Sequence, residues 1–261
     1  MKKLQSNTQD MPSPLTLEKP ALNLAALTSN NSLDRLTTEL IGQWERVDDF
    51  AALQKYGIRP LNRALFYGPP GNGKTMAAQL VASKLDCPLY RVRCESLLTS
   101  AFGGTEQLLT EVMDWIAEQP MSVVLWDECE SIFPDRSTGE SDSCTRALIN
   151  TMQIFWQRLD RWSTPQMFLM ATNLIGRLDS ALSSRVELQL EFGPPTKQQA
   201  LDVLTYWREV FHEYGSDVWG EVIRKEIESN ALPSSFRDLW QSISGFVRDF
   251  VINSPSEETN E

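Results

Sequence analysis

Gly68-Pro69-Pro70-Gly71-Asn72-Gly73-Lys74-Thr75 satisfies G-x-x-x-x-G-K-[ST] at every fixed position, and the rest of the chain is organised around it. The apolar run Ala64-Leu65-Phe66-Tyr67 enters the stretch. Helix-prone residues Met76-Ala77-Ala78-Gln79-Leu80-Val81-Ala82 leave it. Strand, glycine-rich loop and helix in that order are the context in which this pattern is a phosphate-binding loop. Glycines let successive backbone N–H groups turn inward on a polyanion, and the helix start adds the positive end of its dipole. The predicted nucleotide-contacting set is therefore Gly68, Pro69, Pro70, Gly71, Asn72, Gly73, Lys74, Thr75 and Met76. Lys74 reaches the β- and γ-phosphates, and the Thr75 hydroxyl is a ligand for Mg²⁺. An ordinary Gly/Pro turn ahead of a helix is the competing reading, and the complete pattern with both flanks weighs against it.

The chain has 261 residues, enough for one large α/β domain and a smaller companion. A hydrophobic share of 41% and a charged share of 23% are those of a globular protein with a packed core. Twenty-four basic against 35 acidic residues give a formal charge of −11, which argues against general affinity for nucleic-acid backbone or anionic membrane. The amino terminus has Lys2 and Lys3 but no apolar stretch of signal-peptide length, and no run approaches the ~18 apolar residues of a membrane span. Cys87, Cys94, Cys129 and Cys144 lie 7, 35 and 15 positions apart, so neither a zinc ligand set nor a disulfide framework is suggested. Four reduced thiols in a cytoplasmic protein is the expectation. The single histidine, His212, reads as a packing or surface residue.

Residues 1–32 carry Pro12, Pro14 and Pro20 among polar residues and read as a flexible arm with one short helix near Leu22–Leu27. From Leu33 to Tyr56 apolar residues recur at three and four, predicting an amphipathic helical region that ends at Gly57. Pro88 to Arg93 reads as a strand, and Thr105 to Glu118 as a helix closed by Pro120. Ser122-Val123-Val124-Leu125-Trp126-Asp127-Glu128 is a continuous apolar run ending in two acids, the pattern of a central parallel strand buried on both faces. A helix over Ser143–Arg161, a strand over Met167–Ala171 and a strand over Glu187–Phe192 follow. The spacing predicts an α/β domain over 33–193 with a parallel five-stranded sheet covered by helices. Ligands in such sheets bind beyond the carboxyl ends of the strands, where Lys74, Asp127 and Asn173 all fall. After Gly193-Pro194-Pro195 only helical patterns remain, predicting a small all-helical lid over 194–251. Residues 252–261 read as a disordered acidic tail.

Binding a nucleotide needs only the loop, but hydrolysis also needs a metal ligand and a group to orient or deprotonate water. Asp127 and Glu128 are candidates for both. Asp127 holds Mg²⁺ directly or through water, and Glu128 faces the attacking water. A solvated Asp-Glu pair at a strand end is the bland alternative.

With these residues placed, the chain resembles the AAA+ ATPases, and their protein-remodelling branch, over about Leu33 to Val251. The resemblance rests on Gly68–Thr75, Val123–Glu128, Ala171-Thr172-Asn173, and Leu178-Asp179-Ser180-Ala181-Leu182-Ser183-Ser184-Arg185. It implies a P-loop NTPase-type fold that uses ATP and Mg²⁺ in a ring, usually a hexamer, with ATP between subunits. It also implies that Asn173 is the polar "sensor 1" residue at the γ-phosphate or water, and that Arg185 is the arginine finger reaching a neighbour's site. Many relatives carry a second arginine three places on, where this chain has Leu188. Arg237 resembles the lid-helix "sensor 2" arginine. Ala101-Phe102-Gly103 is similar to the remodellers' pore-loop triplet, with the aromatic moved one place, and implies a grip on an extended polypeptide client. Phe102 as a staple onto the following helix is the alternative.

The leading expectation is an ATP-driven remodeller or disassembly motor acting on a protein client or adaptor. The rival is an ATP-gated oligomeric recruitment or assembly platform, for example in DNA transactions, that does not thread. A metabolic kinase is disfavoured because no acceptor-substrate domain remains once the lid is assigned.

Overall fold

A computed structural model of the protein describes residues 10–18, 31–98, 103–135, 143–161, 166–229 and 231–253. They fall in two compact units. The first takes in Asn31–Gly68 and Lys74–Phe192 with a short amino-terminal strand, and the second takes in Pro69–Gly73 and the chain from Gly193.

The first unit is built on strands β1 (Leu15–Glu18), β2 (Arg63–Tyr67), β3 (Leu89–Arg93), β4 (Ser122–Asp127), β5 (Gln166–Thr172) and β6 (Leu188–Glu191), in the order β1-β3-β4-β5-β2-β6. All neighbours from β3 to β6 are parallel. Every residue of β5 is buried, as are Ser122 to Trp126 of β4, which is why these strands read as unbroken apolar runs rather than alternating ones. By contrast β6, at the sheet edge, alternates buried Leu188 and Leu190 with exposed Gln189 and Glu191. Helices α4 (Lys74–Lys84), α5 (Gly104–Glu118) and α6 (Ser143–Arg161) are the crossover connections that parallel strands require. Leu109, Val112, Met113 and Ile116 of α5 and Leu148, Ile149, Met152 and Phe155 of α6 share one core with Leu65, Val124, Trp126 and Phe168 of the sheet. The chain leaves β2 for the loop, and β4 ends in the acids, at the same end of the parallel sheet, with β5 between the two strands.

The sheet has six strands rather than the expected five. Leu15–Glu18, inside the stretch read as a flexible arm, pairs antiparallel with β3 at Leu15↔Val92 through Glu18↔Leu89. Leu15 is buried and Leu17 exposed, a two-beat alternation too short to stand out among prolines. Pro12 and Pro14 lie ahead of the strand, where Pro14 needs only its carbonyl, which accepts from the Arg93 N–H at 2.8 Å. The helix expected near Leu22–Leu27 lies outside the described residues, as does the tail beyond residue 253.

The helical region before β2 is not one continuous helix. It runs as α1 (Asn31–Arg35), a π-helical turn over Leu36–Ile41, α2 (Gly42–Trp44), α3 (Val47–Ala51) and a 3₁₀ turn over Gln54–Tyr56. The wider turn is closed by the Gly42 N–H on the Thr37 carbonyl. It carries Leu36, Leu40 and Ile41 into the core together, which a regular 3.6-residue period does less well. Val47 and Leu53, which continue the apolar pattern in sequence, are exposed.

The second unit contains α8 (Lys197–Val210), α9 (Ser216–Glu228) and α10 (Phe236–Asn253), while the short α7 (Ser180–Ser183) belongs to the first. Thr196 starts α8 with a capping box, accepting from the Gln199 N–H while the Gln199 side chain accepts from the Thr196 N–H. Val203, Leu204 and Trp207 pack with Trp219, Ile223 and Ile227 of α9 and Leu239 and Ile243 of α10. Among the described residues no helix is long and apolar enough to cross a membrane.

Candidate functional site

Strand β2 delivers the chain to Gly68, whose φ of +132° is one that L side chains rarely adopt. A Cβ there would lie 2.3 Å from the Phe192 carbonyl oxygen, and Phe192 is itself bonded to the end of β2 through its N–H on the Tyr67 carbonyl. Glycine is required because backbone approaches backbone. Gly68→Ala is expected to destabilise the protein by ~1–3 kcal/mol or more from backbone strain alone. A lower urea midpoint at unchanged slope is the measurement.

Lys74 opens α4 with its side chain reaching back to the end of β2. Its ammonium donates to the Gly68 carbonyl at 2.7 Å and to Asn173 Oδ1 at 2.8 Å. Only 7% of the residue is exposed, and a buried ammonium is tolerated when such acceptors surround it. Asn173 follows β5, and its N–H donates to Glu130 Oε1 at 3.2 Å. One residue beyond Lys74, the Thr75 hydroxyl donates to Asp127 Oδ2 at 3.2 Å. The parallel order β4-β5-β2 thus brings together two hydrogen-bonded pairs, Lys74 with Asn173 and Thr75 with Asp127, from sequence-adjacent residues on α4.

Asp127 has further partners. Oδ2 also accepts from the Arg91 guanidinium at 2.7 Å, and Oδ1 accepts from the Glu128 N–H at 3.1 Å. Glu128 is exposed and sits at φ +52°, ψ 42°, a left-handed conformation uncommon for a residue with a Cβ. Strain of this kind is maintained where a side chain must be aimed. Burial pushes the Cys94 and Cys129 thiols up, Cys129 well above the ordinary value, and raises Cys87 to about 11. Thiols in that condition are not nucleophiles at neutral pH, so the reactive groups here are carboxylate, hydroxyl, amide and ammonium.

The middle of the loop belongs to the second unit. Gly71, at φ +83°, would place a Cβ 2.9 Å from Ser235 Oγ and 3.0 Å from Arg237 Cβ. The Arg237 N–H donates to the Gly71 carbonyl at 3.1 Å, and the Phe236 N–H to Asn72 Oδ1 at 3.3 Å. Asn72 also donates to the Pro69 carbonyl at 3.2 Å. Within this unit the start of α10 therefore holds the loop by its backbone. The Arg237 side chain is exposed and forms no ion pair among the described residues.

Arg185 stands apart from the two hydrogen-bonded pairs. It follows α7, whose entry is fixed by Asp179 accepting from the Ala181 N–H at 2.9 Å, and its side chain is exposed without an ion pair among the described residues. Met76 is half-buried on the first turn of α4. Gly103 is the left-handed residue ahead of α5, with φ of +74°, and Ala101 and Phe102 lie outside the described residues. Two members of the site were missed by sequence reasoning. Glu130 is signalled only by the Asp-Glu-Cys-Glu spacing, and Arg91 only by a charge between buried Tyr90 and Val92.

A mostly parallel sheet with a complete phosphate loop and an acid pair at one end of its strands defines the class of phosphate-loop nucleotide-binding proteins. Residues 64–194 match the ATPase family associated with various cellular activities (AAA), and the chain belongs to that family. It is 29% identical over 161 residues to the uncharacterized AAA family ATPase y4kL of Sinorhizobium fredii, covering 62% of this chain and 47% of that protein. It is 32% identical over 155 residues to the 26S proteasome regulatory subunit 8 homolog of Schizosaccharomyces pombe, covering 58% of this chain and 38% of that one. The matches thus span less than half the length of these relatives. A chain of the E. coli MS115-1 HORMA:CdnC:Trip13 complex superposes with a TM-score of 0.68 at 18% identity, over 94% of this chain and 96% of that one, which is a likeness of fold.

Proposed function

We propose that the protein hydrolyses Mg·ATP in an oligomeric ring and uses the cycle to remodel or disassemble a protein partner. The observation that carries the reading is the convergence of Lys74, Thr75, Asp127 and Asn173 beyond neighbouring strand ends, with exposed Glu128 beside them. Thr75 Oγ1 and Asp127 Oδ2, 3.2 Å apart, are the hard oxygen donors that Mg²⁺ prefers, and they are the residues that would hold it. When bound, the metal neutralises charge on the phosphate oxygens. Lys74 supplies the fixed positive charge to the β- and γ-phosphates, and the Asn173 amide orients either a γ-phosphate oxygen or the water. Glu128 accepts the proton as the water oxygen bonds to the γ-phosphorus and the bond to the ADP oxygen breaks.

The exposed guanidinium of Arg185 supports a role in a neighbouring copy's site, and Arg237 on α10 supports a second contact to nucleotide. The charge of −11 supports a protein partner over nucleic acid. So does the company of the proteins it is similar to, one a proteasome regulatory subunit and one, alike in fold, a chain of a complex with HORMA and CdnC, although such an analogy carries fold before function. Phe102 is the sequence's candidate for gripping that partner.

Lys74→Ala is expected to abolish tight Mg·ATP binding, because the phosphates lose the only side-chain charge in the loop. Calorimetry with purified protein measures it, and unchanged affinity would show that the loop is not the site. The remodelling half is tested by purifying Glu128→Gln protein with ATP and with ADP, then returning the captured partner to wild-type protein. A protein retained with ATP and released in altered assembly state by hydrolysis supports the reading. Retention of nucleic acid, or release of an unaltered partner, would favour a recruitment platform.

A further inference from the structure

Arg91 lies in β3 between two carboxylates that come from opposite neighbours in the sheet. Glu18 of β1 stands opposite Leu89, two residues before Arg91, and Asp127 of β4 stands opposite Arg93, two residues after it. Both are therefore diagonal neighbours on the face that Arg91 occupies, a separation of ~7–8 Å that a long side chain spans. The guanidinium uses a different nitrogen for each: one lies 2.7 Å from Asp127 Oδ2 and the other 3.7 Å from Glu18 Oε1. A planar fork does this, whereas a lysine ammonium is a single point. A cavity of about 260 Å³ opens beside it, lined by Glu18, Arg91, Arg93, Glu95, Asp127 and Glu128, so the side chain is not there to fill space.

We infer that Arg91 is a positioning residue for the metal-holding carboxylate Asp127, and that the amino-terminal strand β1 takes part in the nucleotide site through Glu18. This rests on the reading of Thr75 and Asp127 as the Mg²⁺ ligands. Among the described residues three groups hold the Asp127 carboxylate, of which the Thr75 hydroxyl would turn to the metal and the Glu128 N–H touches only Oδ1. Arg91 is the charged donor that keeps Oδ2 facing Thr75. Its own positive charge opposes a cation nearby, and Glu18 on the far side offsets that charge. Substitutions at partners that orient a metal ligand commonly cost about 10–100-fold in metal affinity.

The test is the affinity of the full chain for a fluorescent ADP, titrated once in MgCl₂ and once in EDTA. The ratio of the two dissociation constants isolates the metal's contribution. Arg91→Met is expected to shrink that ratio at least ~10-fold while affinity in EDTA stays unchanged. Arg91→Lys, which keeps charge but not the fork, moves it the same way. Glu18→Gln, at the outer strand and independent of any folding defect at Arg91, shrinks it by a smaller factor. Equal weakening in MgCl₂ and EDTA would mean a merely structural role, and a ratio that rises would mean that Arg91 competes with the metal. Either result overturns the inference, as does an unchanged ratio in Glu18→Gln. A wild-type protein with no Mg²⁺ dependence removes the assignment of Thr75 and Asp127 as well, and so is distinguishable from a failure of Arg91 alone.

Discussion

Glu128→Gln protein is expected to bind ATP as the wild type does and to turn it over ~10²–10⁴ times more slowly, the usual range for losing a positioned general base. The amide has the shape of the carboxylate but is a far weaker proton acceptor. The geometry separates the two effects. Asp127, which takes the Thr75 hydroxyl and the Arg91 guanidinium, contacts Glu128 only through the backbone N–H of residue 128. Changing the exposed side chain leaves those bonds in place. The left-handed backbone at φ +52° is no harder for glutamine than for glutamate. Phosphate release and calorimetric affinity, measured on one preparation, check the result. Loss of binding in step with turnover would make Glu128 a structural residue and would dissolve the division of labour between the two acids.

The parts of this site that are contiguous in the chain are the parts that the sequence reveals. Gly68 to Thr75 form a local structure whose glycine positions, loop length and lysine are dictated by a phosphate group, so the pattern is complete without knowledge of the fold. Asp127 and Glu128 are legible because a short unbroken apolar run rich in valine reads as a strand buried on both faces, and its end is where polar chemistry begins. Arg91 and Glu18 are not legible in this way. Their meeting with Asp127 depends on the register of three strands, and register is a property of long-range pairing rather than of neighbours in sequence. The strand β1 itself is four residues long, below the length at which alternation separates from chance. The π-helical turn at Leu36–Ile41 was missed for a related reason. It breaks the 3.6-residue period on which a helix is recognised, and only the core that it fills explains the break.

Hydrolysis by Arg185→Ala protein is expected to fall, by as much as ~10³–10⁵ if the guanidinium stabilises the transferring phosphoryl group as fully as fingers in other nucleotide hydrolases do. Arg185 is exposed, follows a helix of one turn fixed by Asp179, and forms no ion pair among the described residues, so its removal breaks none there. A large effect on rate with a small effect on melting temperature is therefore the signature of a functional rather than a structural role. Mixing supplies the decisive measurement. Arg185→Ala subunits and Glu128→Gln subunits are each inactive alone, yet a mixed ring contains interfaces where an intact Glu128 from one copy meets an intact Arg185 from the next. Activity above the sum of the separate proteins is expected, rising with the fraction of such interfaces as the mixing ratio approaches equality. If mixed rings form by native mass spectrometry and no activity returns, Arg185 acts within its own chain or not at all, and the ring loses its coupling between subunits.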